Sequence, residues 1–263
     1  MSRQNYYKQR QTRSRRQVDE GLVVALVARE RRLQPRLGGK KLHGLLSEEL
    51  FQAGIEIGRD RFFDVLRDHD MLVKPLPPKS HRTTDSRHSL PVFRNLIRNL
   101  EPTGPDQIWV SDITYIRTLE GFEYLTLIMD LYSRKIVGFH CGENLDAKAN
   151  LIALNRALQD LPANRYPIHH SDRGCQYCCH EYVEVLQSRD LPVSMTEENH
   201  CYENAHAERL NGILKQELGL GWTFKNREQA RRAVEQAVWI YNTRRPHGSL
   251  KNQMPARVHT KAA

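Results

Sequence analysis

QIWVSDITYIR (residues 107–117) is the stretch whose reading decides the fold. It is dense in β-branched and aromatic residues, the composition of a strand laid on a half-buried pleated surface. Asp112 stands in the middle of it, where aspartate is disfavoured, which marks this carboxylate as a candidate functional group. Gly121 then supplies a turn, EYLTLIMD (123–130) a second strand and KIVGFHC (135–141) a third. Short turns between them predict an antiparallel meander.

Further along, Asp146 is a predicted N-cap for a helix to about residue 161. A strand over 166–171, a helix over 180–189, a strand over 191–195 and a helix over 204–220 follow. The order β-β-β-α-β-α-β-α is that of the ribonuclease-H-like fold, an α/β arrangement with a mixed sheet flanked by helices. In that fold the first strand, the end of the fourth strand and the last helix meet. Asp112, Asp172 and Glu208 occupy those three places.

Glu208 lies in CYENAHAERLNGILKQE (201–217). At 3.6 residues per turn, Asn204, Glu208, Asn211 and Lys215 share one side of the helix, and Leu210, Ile213, Leu214 and Leu218 form a stripe opposite. Taken alone, this reads more readily as an ordinary amphipathic helix with a solvated acid and lysine. With 31 acidic residues in the chain, spacing by itself selects nothing; placement on the predicted elements does. Three carboxylates brought together repel one another unless cations are present. Mg²⁺, which prefers oxygen ligands, is the matching ion, and two such ions about 3.5–4 Å apart suit an in-line phosphoryl displacement.

Outward from this core the chain is basic at both ends. Residues 1–100 carry ten more Lys and Arg than Asp and Glu, 101–221 carry eight fewer, and 222–263 carry seven more, for a net charge of +9. An acidic middle between basic flanks suits carboxylates for cations and Lys/Arg for phosphates. Five segments are expected: a basic arm and helix (1–35), a helix-turn-helix DNA-binding domain (36–73), a basic linker (74–104), the catalytic core (105–220) and a basic helical extension (221–263). Residues 1–16, with six Arg and Lys and no acid, read as a mobile arm leading into a helix over 18–33. Helices over 40–51 and 59–69 flank a break at Gly54, and Arg59, Arg61 and Arg67 on the second have the chemistry of major-groove contacts. A small helical bundle without DNA contact is the alternative there. Arg231, Arg232, Arg244 and Arg245 surround a predicted C-terminal helix over 230–241 that packs on the core and holds DNA. No apolar run approaches the roughly 18 residues of a membrane span and the amino terminus lacks an apolar signal segment. Together with five cysteines, an odd number, this predicts a cytoplasmic protein with reduced thiols, nucleoid-associated when bound to DNA, and no membrane partner.

WVSDITYI around Asp112, HSDRGCQY around Asp172, NAHAERLNGILKQE around Glu208 and YNTRRPHGSL from Tyr241 together resemble the retroviral-integrase-type DDE core of bacterial insertion-sequence transposases. The resemblance is closest to the second reading frame product of the IS-three family and covers residues 36–259. Between Asp172 and Glu208 lie 35 residues, the interval of the family's D,D(35)E pattern, and Lys215 matches its basic residue seven after the glutamate. Cys175, often Ser in the family, and Glu203, usually Asp, depart from the pattern without touching the triad. The resemblance implies Mg²⁺-dependent 3′-end cleavage at element ends, then attack of the freed hydroxyl on another phosphodiester, with two ions held by Asp112, Asp172 and Glu208 and Mn²⁺ able to replace Mg²⁺. It implies double-stranded DNA as partner, both element ends and target, a homo-oligomer on DNA, and the upstream reading frame product as a further candidate. Lys215, Arg173 and Asn204 are the expected contacts near the scissile phosphate.

Two other readings stay open: a non-catalytic helix-turn-helix regulator, and a Mg²⁺-dependent nuclease that hydrolyses without joining. Cys175, Cys178, Cys179 and Cys201 with His169, His170 and His180 also invite a zinc site. Only Cys175 and Cys178 have C-x₂-C spacing, and buried thiols are the preferred reading. His170 and His206 stay outside the catalytic set.

Overall fold

The computed structural model describes residues 2–74, 90–197 and 205–262. The chain divides into two compact units, Met1–Pro77 and Pro78–Ala263.

The first unit is helical: α1 (Arg3–Leu33), α2 (Gly39–Gln52) and α3 (Arg59–Asp68). Leu42, Leu46 and Leu50 of α2, Phe62, Val65 and Leu66 of α3, and Val23 and Val27 of α1 form its core. The expected arm and the helix after it form one element, because α1 runs unbroken through residues 3–16. Ser2 caps it, accepting from Asn5 N, and Arg, Gln and Lys are good helix formers with no proline or glycine among them before Gly21.

The second unit is built on a mixed sheet. β1 (Ile108–Thr118), β2 (Gly121–Asp130) and β3 (Ile136–Gly142) form the antiparallel meander, while β4 (Ile168–Ser171) pairs parallel with β1 and β5 (Val193–Met195) parallel with β4. The strand order is β3-β2-β1-β4-β5, and a short β6 (Thr223–Phe224) pairs with the far end of β1. α4 (Ala147–Gln159), capped by Asp146 accepting from Ala149 N, crosses β3 so closely that a Cβ on Gly138 would sit 2.3 Å from the Ala153 carbonyl oxygen. α5 (Cys175–Cys178) and α6 (His180–Gln187) follow β4. α7 (Ala205–Gln216), α8 (Arg227–Thr243) and α9 (Pro255–Ala262) complete the fold.

Alternation along β1 splits the core between the two faces of the sheet. Ile108, Val110 and Ile116 face α7 and α8, and Trp109 faces α4, α5 and α6. Residues 93–97, inside the expected linker, pack on this unit. Asn95 N donates to Glu197 Oε1 and Leu96 N to Ser194 Oγ, both at 2.9 Å, while Phe93 and Ile97 join the two cores.

The C-terminal extension is tied down by polar contacts. The Asn242 amide accepts from Ile136 N and donates to Ile136 O, both at 2.9 Å, closing the start of β3. Arg245, only 2% exposed, grips Glu217 with two hydrogen bonds of 2.8 and 2.9 Å. Removing the acid leaves a buried guanidinium uncompensated, so Glu217→Ala should cost about 3 kcal/mol in urea unfolding. Glu228→Ala, which breaks an exposed pair with Arg232, should cost less than about 1 kcal/mol.

His169 is buried between Tyr177 and Tyr182 and shares a 2.9 Å hydrogen bond with the Tyr182 hydroxyl. Burial, helped by the neighbouring His170, holds it down at about 3. The folded chain therefore keeps His169 neutral while the unfolded chain protonates below 6.5. Stability from this group is complete above pH 6.5 and falls by up to about 1.4 kcal/mol per pH unit as pH drops toward 3. His169→Gln should flatten that acid limb by about one proton in unfolding measurements across pH.

Candidate active site

The parallel register of β1 and β4 builds the site. The strands pair Ile108 with Ile168, Trp109 with His169 and Val110 with His170. Two residues beyond the last pair, the same register sets Asp112, in the middle of β1, level with Asp172, just past the end of β4, on neighbouring strands that in a sheet lie about 4.8 Å apart. Asp112 shares the face of Ile108 and Val110, the face that α7 covers. α7 packs through Ala207, Leu210, Asn211 and Leu214, and Glu208 projects from its first turn.

Asp112 is fixed at both oxygens. Ile113 N donates to Oδ1 at 2.9 Å and Asn211 Nδ2 to Oδ2 at 2.7 Å. Gly174 N donates to Asp172 Oδ1 at 3.0 Å. Burial first, then the charge of Asp172 and more weakly that of Glu208, push Asp112 up to about 7, against the pull of its two hydrogen bonds. Glu208 is raised by burial and then by Asp172. The three acids expected from the sequence thus act on one another electrostatically. They offer oxygen donors only, and the Asn211 Oδ1 atom beside them is buried without a hydrogen-bond partner. That donor set, with its repulsion, fits hard divalent cations.

Lys215 lies two turns on from Glu208, its ammonium 4.4 Å from the Tyr115 ring centroid. Burial lowers its pKa, Asp112 raises it and Arg117 lowers it further. Arg173 Nε donates to the Thr196 carbonyl oxygen at 2.6 Å. Asn204 lies outside the described residues. Arg244 is half-buried beside α8. Arg245, expected at DNA, is buried and bound to Glu217, where it holds the extension on the core. Arg231 is likewise engaged, donating to the buried Glu123 at 2.8 and 3.0 Å. In the helical unit, Arg59 is exposed beside Asp60, and Arg61 pairs with Glu20.

Among the described residues, the group whose candidate ligand atoms all lie within 4.8 Å of one another is Asp106, Asp130 and His259. Its members already hydrogen-bond to neighbouring groups. Asp130 accepts from Asp106 N and from Ser133 N and Oγ, Asp106 accepts from Trp109 Nε1, and His259 meets Ser133 Oγ at 3.0 Å. It fastens α9 to the β1 and β2 ends. The described cysteines and histidines of 169–180 form no comparable group, and Cys201 lies outside the described residues.

Sequence reasoning placed Asn211 on the chemical side of its helix but missed its contact with Asp112, and it missed Tyr115 beneath Lys215. The signal for Asn211 was its place three residues after Glu208, one turn along the same side. Arg134, whose Nη1 lies 2.9 Å from His206 Nδ1 and steadies the start of α7, left no signal in its own segment.

Two models described as Integrase core domain match residues 102–201 and 189–255. The chain is 36% identical over 265 residues to an insertion element IS600 protein of Shigella sonnei, covering 99% of this chain and 96% of that one. It is 32% identical over 260 residues to the transposase InsF for insertion sequence IS3A of Escherichia coli strain K12, covering 96% and 88%. A simian T-cell lymphotropic virus intasome, solved with the PP2A regulatory subunit B56 gamma, matches in fold with TM-score 0.52 at 19% identity, over 84% of this chain and 74% of that one. The chain belongs to the IS3 family of insertion-sequence transposases, with an integrase-like ribonuclease-H-type core, and is a DDE-type polynucleotidyl transferase.

Proposed function

We propose that this transposase cleaves 3′ ends at the termini of its element and transfers them to a second phosphodiester, with Asp112, Asp172 and Glu208 as the catalytic carboxylates. The supporting observation is the register that sets Asp112 level with Asp172 under the helix carrying Glu208. These three residues would hold two Mg²⁺ ions, with Mn²⁺ as a substitute. When bound, the metal supplies activation of the attacking oxygen and stabilisation of the leaving oxygen in an in-line displacement. Asn211 and the Ile113 amide hold the Asp112 carboxylate in one orientation, and the Gly174 amide does so for Asp172. Lys215, braced on Tyr115, supplies positive charge for a DNA phosphate beside the acids, and Arg173 and Arg244 contact DNA further out. The helical unit binds DNA through Arg59 and Arg61, and the C-terminal extension braces the core. Two ends joined in one reaction call for an assembly of at least two copies on double-stranded DNA, with the upstream reading frame product as a candidate partner. No helix among the described residues is long and apolar enough to cross a membrane.

Incubating the full chain and Mg²⁺ with labelled duplexes that carry the element's ends should yield 3′ nicks and joined strands. Asp172→Asn should lower both by about a hundred- to a thousandfold, the scale of losing a group that stabilises charge in the transition state. Unchanged activity would remove Asp172 from the site. Nicks without joined products would mark a nuclease. Lys215→Ala should weaken DNA binding or joining and leave metal binding intact. In thermal melts at pH 8, Asp112→Asn should raise the melting temperature of the metal-free protein by a few degrees, because it removes a buried charge repelled by two others. Mg²⁺ should raise the melting temperature of the unsubstituted chain and leave that of the variant unmoved. Equal response of both would argue against Asp112 as a ligand.

A further inference from the structure

Beside the acids opens a cavity of about 270 Å³, just under the roughly 300–1,000 Å³ of drug-sized ligand sites. Its walls include Asp112, Asp172, Tyr115, Phe122, Tyr124 and Tyr177. Tyr115 and Phe122 meet edge to face, ring centroids 5.3 Å apart, and Phe122 keeps 49% of its surface exposed. Tyr177 is buried and its hydroxyl is held by Ser111 Oγ at 2.9 Å, which makes the floor rigid. Four aromatic rings therefore converge on a space that two carboxylates border. The carboxylates would take a phosphate only through the cations they hold, and the rest of the lining carries no Lys or Arg for one. Flat apolar rings favour a planar, uncharged ligand, and the Gln176 amide on the wall can pair with a polar edge.

The geometry points to a nucleobase pocket: one base next to the scissile phosphate leaves its stack and seats among Tyr115, Phe122, Tyr124 and Tyr177. This rests on the DNA-cleaving reading above, which puts a phosphodiester at Asp112 and Asp172 and so a base within reach of the cavity. Of the parts of DNA, only the base is both planar and uncharged. Unstacking costs a few kcal/mol and least at a mismatch, and stacking on aromatic side chains returns about 1–3 kcal/mol per base.

Cys175 lines the same cavity and is a free thiol, so it can report occupancy without catalysis. Duplexes with a disulfide-tethered base at each terminal position in turn should be trapped by the full chain at one position. The trap should vanish in Cys175→Ser and weaken in Phe122→Ala. Trapping that is equal at all positions, absent, or retained in Cys175→Ser overturns the pocket. On cleavable duplexes, a mismatch at the trapped position should speed nicking about threefold or more and an abasic site should slow it. Tyr124→Ala and Phe122→Ala should erase both responses, and Tyr124→Phe should keep them. Full responses in Tyr124→Ala would also overturn the pocket. Duplexes that are trapped but never nicked would count against the transposase reading and leave the pocket standing.

Discussion

The parallel pairing of β1 with β4 is the constraint on which the rest of the site depends, because it converts two acids sixty residues apart in sequence into neighbours, one in the middle of β1 and one just past the end of β4. An antiparallel partner would reverse the strand and carry Asp172 away from Asp112. The parallel connection needs a crossover, and β2, β3 and α4 supply it before β4 returns beside β1. α7 then closes the site from the face that Ile108 and Val110 share with Asp112.

Such a site opposes folding. Asp112 within β1, Asp172 just beyond β4 and Glu208 on a helix repel one another, and burial drives Asp112 up to about 7. The fold offsets this locally, through the Ile113 and Gly174 amides and the Asn211 side chain, and at a distance through hydrophobic packing of α7 on β1. Polar pairs elsewhere work as fasteners. Arg245 with Glu217, Arg231 with Glu123, Asn242 with Ile136 and His259 with Ser133 tie the C-terminal helices to the sheet. The result separates roles among the arginines. Arg231 and Arg245, engaged with Glu123 and Glu217, tie the extension to the core, while Arg59 and Arg232 stay exposed.

Much of this was legible in the residues. The β-branched and aromatic runs placed β1, β2 and β3 to within two residues, Asp146 marked the start of α4, and the leucine spacing of 210–214 marked the buried side of α7. The short α5 and β6 were missed because four and two residues carry no periodicity. The helical character of residues 3–16 was missed because a basic segment without an apolar stripe looks solvated whether or not it is coiled. The pairing of Arg245 was not legible because its partner Glu217 lies 28 residues away.

What the sequence determined by itself was the order of elements, the acids standing at the ends or in the midst of them, and the family. Those follow from local propensity, helical and strand periodicity, and motifs that are contiguous in the chain. What only the tertiary structure decided was which polar groups face each other: Asn211 on Asp112, Lys215 over Tyr115, Arg245 on Glu217, and four aromatic rings gathered beside two carboxylates. Such pairings depend on register and helix rotation, which are set by long-range packing. A charge therefore reads the same in sequence whether the fold pairs it in the interior or leaves it at the surface.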